Sequence, residues 1–152
     1  MKVIVAVAFS VLLAGCGSTA PAPNDARVPV VISYLAPSFN SEDDTVDLSV
    51  GIANTARLSL KSVQIDLYAY DVSGALLPGA AGRVSFEGPY APGASVGPTV
   101  FKRVWSRSDV RCLEVTSVRT TAMDYSTRSL VGKDANNLVD KNHRRICTAD
   151  SL

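Results

Sequence analysis

From Val46 the chain alternates: Val46, Leu48, Val50 and Ile52 are apolar, while Asp47, Ser49, Gly51 and Ala53 between them are polar or small. A period of two over this stretch predicts a strand with one buried face. Asn54-Thr55-Ala56-Arg57 interrupts it, and a second alternation follows, with Val63, Ile65, Leu67 and Ala69 on one face and Gln64, Asp66, Tyr68 and Tyr70 on the other. Asp71-Val72-Ser73-Gly74 reads as a turn, because Asp and Ser satisfy turn amides and Gly accepts a left-handed backbone. Leu76-Leu77 resumes the apolar pattern and Pro78-Gly79 ends it.

Val84 and Phe86 flank Ser85 in a short strand that is expected to stop at Gly88-Pro89, and Pro92-Gly93 marks another turn. Thr99–Trp105 and Cys112–Met123 are rich in β-branched and aromatic residues, Asp124-Tyr125-Ser126 reads as a turn, and Ser129–Val131 as a short return strand. Helical spacing is nowhere sustained for three turns. It is matched best over Asp134–Arg145, where Leu138 and Ile146 are the large apolar anchors, which leaves room for one short C-terminal helix or an irregular tail. Several short strands with regularly spaced turns predict an all-β sandwich.

Particular residues carry a resemblance. Val50-Gly51-Ile52-Ala53-Asn54, then Val63 to Asp71 with Gly74, then Pro92-Gly93 with Phe101 downstream, resemble the immunoglobulin-like or fibronectin type III-like modules of bacterial envelope proteins, including the FxLYD-type domain. The chain departs from that pattern in reading Asp66-Leu67-Tyr68-Ala69-Tyr70-Asp71 and in its cysteine-bearing tail. The resemblance implies an immunoglobulin-like antiparallel β-sandwich and a scaffold or contact surface; it brings no catalytic residue.

The N-terminus has a different character. Lys2 precedes Val3–Leu13, an uncharged apolar run of eleven residues, too short to span a bilayer and suited to the hydrophobic region of a secretory signal. Leu13-Ala14-Gly15-Cys16 resembles the lipobox of bacterial lipoprotein signal peptides, which implies that Cys16 is lipidated and begins the mature chain. The alternative is an ordinary secretory signal cut nearby, which would leave Cys16 as an unpaired thiol in an oxidising compartment. Two or more acyl chains, at about 0.8 kcal/mol per buried methylene, make a lasting anchor. Gly17 stands where an Asp commonly retains such proteins in the inner membrane; in a Gram-negative host this resemblance implies the inner leaflet of the outer membrane, facing the periplasm. Gly17–Pro23 is small, polar and proline-bearing, as a linker is. The expected organisation is a signal peptide at 1–15, lipidated Cys16 and tether at 16–28, and a sandwich with a stapled tail at 29–152.

Charge narrows the partners. Without residues 1–15, acidic and basic residues number fourteen each, a balance that argues against nucleic acid. The two signs are unevenly spread: Asp25–Pro89 holds eight acidic and four basic residues, Phe101–Cys147 ten basic and five acidic. A basic C-terminal portion suits cell-wall glycan or anionic lipid headgroups; strands interleaved in space would instead mix these charges into an ordinary solvated surface.

With Cys16 committed to lipid, Cys112 and Cys147 remain. A disulfide between them would close a loop of about 36 residues, worth roughly 4 kcal/mol in the chain-entropy model. A buried free thiol or half of a metal site are the other readings, and the latter lacks neighbouring ligands, since His143 is the single histidine and no Cys-x-x-Cys occurs. His143 lies in a charged stretch with no nucleophile beside it, and no catalytic motif, phosphate loop, metal site or cofactor motif is present, so no enzyme is expected. Ser41-Glu42-Asp43-Asp44 gathers carboxylates without EF-hand spacing and reads as a charged loop at a sheet edge. Two contact surfaces are candidates. Tyr68 and Tyr70 face away from the aliphatic side of their strand, and either meet a partner or lie under further structure. Arg103, Arg107 and Arg111 recur every four residues and in an extended chain form a basic ridge. Trp105 is expected in the core. The expected function is that of a membrane-anchored, non-enzymatic interaction or assembly module with an envelope protein as its partner.

Overall fold

The alternating segments pair as antiparallel strands. A computed structural model describes residues 28–145 and Cys147. These form β1 (Val30–Asn40), β2 (Thr45–Asn54), β3 (Leu60–Tyr70), β4 (Leu76–Tyr90), β5 (Ser95–Trp105), β6 (Cys112–Ala122), β7 (Thr127–Val131) and α1 (Lys133–Asn136). The signal peptide, Cys16, nearly all of the tether and Ile146 lie outside the described residues. One sheet has the order β1-β2-β5 and the other β4-β3-β6-β7. The chain changes sheet after β2, β4 and β5, so β5 is both entered and left by a crossing while β1–β2, β3–β4 and β6–β7 are hairpins. The result is an all-β, immunoglobulin-like sandwich of three strands facing four.

The inward residues are those the alternation selects. Val46, Leu48, Val50 and Ile52 of β2 face Val63, Ile65, Leu67 and Ala69 of β3, joined by Leu113, Val115 and Val118 of β6, all buried. Each such side chain taken fully from water contributes about 1.5–3 kcal/mol. Trp105 closes the β4–β5 side: it is buried, and its indole Nε1 donates to Ala80 O of the opposite sheet at 2.9 Å.

Two strands differ from expectation for identifiable reasons. β1 pairs along β2 from Val30↔Asn54 to Asn40↔Thr45, with a register shift between Ile32 and Tyr34. That irregularity moves the inward phase from Val30 and Ile32 to Leu35, so no period of two is visible in the sequence. Val28, assigned to the tether by sequence, is 3% exposed and packs in the core. β4 runs through both Pro78-Gly79 and Gly88-Pro89 instead of stopping at them. It is an edge strand, where a residue without an N–H breaks no second ladder, and the register shift between Tyr68↔Ala81 and Tyr70↔Leu76 absorbs Pro78 and Gly79 (φ 70°).

The tail covers a sheet edge. β7 pairs only Ser117–Thr121 of β6, so the first half of β6 lacks a strand on that side. The tail takes its place. Gly132 N–H donates to Thr116 O at 2.7 Å, and the buried Asn136 accepts Val115 N–H at 3.3 Å while its Nδ2 donates to Arg145 O. Of the short helix or irregular tail left open over Asp134–Arg145 the chain takes both, the single turn of α1 and then residues that pair with β1: Ile32 N–H donates to Leu138 O at 2.9 Å and Asp140 N–H to Ile32 O at 2.8 Å. Unpaired strand edges outcompete a helix with few apolar anchors. Cys112 and Cys147 are joined (S–S 2.08 Å, Cα–Cα 5.6 Å), so the tail links the edges of both sheets.

Candidate interaction surfaces

Tyr68 and Tyr70 stand on the outer face of the four-stranded sheet because their β3 neighbours Leu67 and Ala69 fill the core. Their register partners are Ala81 and Leu76 on β4 and Glu114 and Cys112 on β6. Tyr68 is exposed. Tyr70 is half-buried and its hydroxyl donates to Glu114 Oε2 at 3.0 Å; burial first, then the Glu114 carboxylate, raises its pKa above the ordinary phenol value. Leu76 is exposed beside it, and Val72, 69% exposed, sits on the β3–β4 turn. That turn is firmly built. Asp71 Oδ1 accepts the Ser73 hydroxyl and the Ser73 and Ala75 amides, which hold its carboxyl below the usual range. Tyr68, Val72 and Leu76 thus form an apolar patch on a rigid hairpin, bordered by the Arg83–Asp66 ion pair at 2.6 Å.

The three arginines are distributed differently. β5 ends at Trp105, so of the three only Arg103 stands on a strand. Arg103 takes a left-handed backbone (φ 54°) where β5 bulges against β2. Its N–H donates to Asp47 Oδ1 at 2.9 Å and its Nε to Asp43 Oδ2 at 2.6 Å, while Lys102 Nζ reaches Asp47 Oδ2 at 2.7 Å. Asp47 is held low by Lys102 and the Arg103 amide, and Asp43 by the Thr45 hydroxyl and then Arg103. Arg107 grips Asp109 and the Pro78 carbonyl, and Arg111 bonds the Ser108 and Val110 carbonyls. Each guanidinium already ties down a local loop. Two of them have carboxylate partners.

His143 packs its ring on Tyr34 at 4.6 Å. Asp43 of the acidic loop serves Thr45 and Arg103. Among the described residues no three His, Cys, Asp or Glu side chains are grouped to hold a metal ion, and no helix is long and apolar enough to cross a membrane.

A concavity lies at the end where the chain enters β1. It is a groove of about 1040 Å³ between β1, the β2–β3 loop, the β6–β7 turn and α1, floored by Val30, Leu60, Leu130 and Leu138. Asn54 organises its mouth. Buried, it donates from Nδ2 to Leu58 O, Tyr90 O and Ala91 O and accepts Ala56 N–H at 2.8 Å. Thr55 N–H donates to Pro29 O and Met123 N–H to Ser59 O, so three loops and the start of β1 are laced together. Leu58, Met123 and Tyr125 project from this rim, each more than half exposed. Leu58 and Tyr125 are isolated apolar residues in polar turns and Met123 closes the run from Cys112, so no local pattern joins the three, and only the sandwich brings them together.

Compared with family models, with curated proteins and with solved structures, the chain finds no significant match in any of the three.

Proposed function

We propose that this chain is a lipoprotein anchored through Cys16 to the periplasmic face of the outer membrane, where its sandwich acts as a non-enzymatic interaction module of the FxLYD type. The observation that carries the contact role is the patch of Tyr68, Val72 and Leu76 on the β3–β4 hairpin. Three exposed apolar side chains on a hairpin whose turn is pinned by Asp71, at the opposite end of the strands from the tether, form a preordered surface with little entropy left to lose. Asn54 and Asp71, both among the residues that carry the family resemblance, hold the loops in place. The partner is an envelope protein offering a complementary apolar surface.

Two measurements test this reading. Incorporation of labelled palmitate, abolished by Cys16→Ser, tests the anchor. Crosslinking in intact cells followed by purification tests the contact: the native chain captures a discrete partner that Tyr68→Ser/Leu76→Ser, still folded by circular dichroism, does not. Equal capture by the double variant would remove the hairpin from the contact surface.

A further inference from the structure

The tether end carries a second surface. Leu58 and Tyr125 are 58% and 71% exposed, and the Ser59–Met123 hydrogen bond places the β2–β3 loop against the β6–β7 turn. Tyr125 takes φ 65°, a conformation that costs energy for a bulky residue. Its turn is held by Asp124 Oδ1, which accepts the Ser126 amide and hydroxyl. Lys61 Nζ lies 4.1 Å above its ring. An aromatic kept outward at a strained position, under a cation, is costly to maintain for a surface that touches only water.

The charges at the two ends differ. At the tether end Arg57, Lys61 and Arg128 are balanced by Glu87 on β4, by Asp124, which Arg128 faces electrostatically, and by Asp134 at the α1 wall of the groove. The opposite end carries Glu42, Asp43, Asp44, Asp47, Asp71 and Asp109 against Lys102, Arg103, Arg107 and Arg111, an excess of acid that an anionic surface would repel. Eleven residues separate Cys16 from Val28, so even a fully extended chain holds the start of β1 within about 40 Å of the acylated residue.

We infer that the tether end, Leu58, Met123 and Tyr125 among Arg57, Lys61 and Arg128, seats on the headgroup and upper acyl region of an anionic bilayer, pointing the β3–β4 hairpin away from it. The inference rests on the lipid-anchor reading for the proximity of that bilayer. The chemistry matches on three counts. Tyr suits the membrane–water interface, Leu and Met fit the upper acyl layer, and Arg and Lys meet lipid phosphates.

The test uses the full acylated chain in vesicles of phosphatidylethanolamine and phosphatidylglycerol with brominated acyl chains, which quench tryptophan only at close range. Trp105, buried and paired with Val46 near the opposite end, is a built-in control and keeps its emission in the native chain. Tyr125→Trp is expected to lose most of its added emission, less so at high salt or in zwitterionic vesicles; Leu58→Trp repeats the measurement if the first variant folds poorly. Mass analysis of the same sample separates the two ideas. An acylated chain whose new tryptophan is not quenched overturns the docking and leaves the anchor standing; a chain without acyl groups overturns both. Protection from iodide in native membranes without quenching by brominated lipid assigns this end to a protein and overturns the lipid reading. Quenching that ignores salt and lipid charge overturns the role given to the three cations.

Discussion

Gly82 of β4 lies directly under the indole of Trp105. A Cβ at Gly82 would stand 2.5 Å from the ring's Cζ2 and 2.9 Å from Val104 Cγ1. The indole is fixed in turn by its hydrogen bond to Ala80 O, so the ring cannot slide away without losing a buried bond. Gly82→Ala is therefore expected to destabilise the sandwich by about 1–3 kcal/mol, as overpacking does. Trp105→Phe has its own cost, but in the double variant the added methyl should cost less than it does alone. Urea titrations of the four proteins check this, and strict additivity would refute the contact.

The Cys112–Cys147 bond holds a tail that otherwise packs through Ala135, Leu138 and Val139. Reduction, or Cys112→Ser with Cys147→Ser, is expected to lower stability by roughly 2–4 kcal/mol. The loss should be local first. Amide exchange at Ile32 and Asp140, which bond across the tail–β1 seam, should accelerate before exchange at Ile65 in the centre of β3. Uniform acceleration across both would show that the tail is not a separate unit.

How far the sequence foretells this molecule depends on where each residue sits in a sheet. β2 and β3 are central strands with one apolar face each, so the period of two is plain in Val46–Ile52 and Val63–Ala69. β1 and β4 are edges. There, a register shift at Ile32/Tyr34 and a Pro-Gly pair at 78–79 break the pattern without breaking the strand. The outward tyrosines follow from the same alternation, whereas the tether-end rim joins Leu58 to Tyr125 through a crossing between elements, which no local period encodes. Asp47 and Asn136 are equally opaque: each is a polar residue whose burial makes sense only beside the bulge or the unpaired edge it satisfies.

Acid should loosen the β2–β5 seam. Asp43 and Asp47 have folded pKa values below the ordinary carboxylate value, Asp43 chiefly through the Thr45 hydroxyl and Asp47 chiefly through Lys102. A depressed folded pKa means stability that is fully present above the unfolded pKa, near 4, and is lost as pH falls through the folded one. The melting temperature is expected to change little from these groups between pH 5 and 8 and to fall below about pH 4. Asp47→Asn keeps an acceptor for Arg103 N–H and gives up the charge opposite Lys102. It should start less stable at neutral pH and show a shallower acid limb. An acid limb as steep as the native one would remove Asp47 from this account.

Asn54 connects the fold to the surface inferred at the tether end. Its side chain satisfies three carbonyls and one amide from two loops, and it is buried, so truncation leaves those groups without a partner and without easy access to water. Leaving a buried polar group unpaired costs about 1–3 kcal/mol, so Asn54→Ala should be among the more damaging polar substitutions. Asn54→Asp should do no better, because a carboxylate would face the carbonyls of Leu58, Tyr90 and Ala91 with no protons to offer. The consequence should reach Leu58 and Tyr125, whose loops are joined through Ser59 and Met123. Amide exchange at Ala56 and Met123 should rise in Asn54→Ala while exchange at Asp71, at the other end, stays unchanged, and vesicle quenching of Tyr125→Trp should weaken in the same background. If Met123 exchange does not respond, the two loops are independent, and the tether-end surface is not the single rigid unit that Asn54 is argued to build.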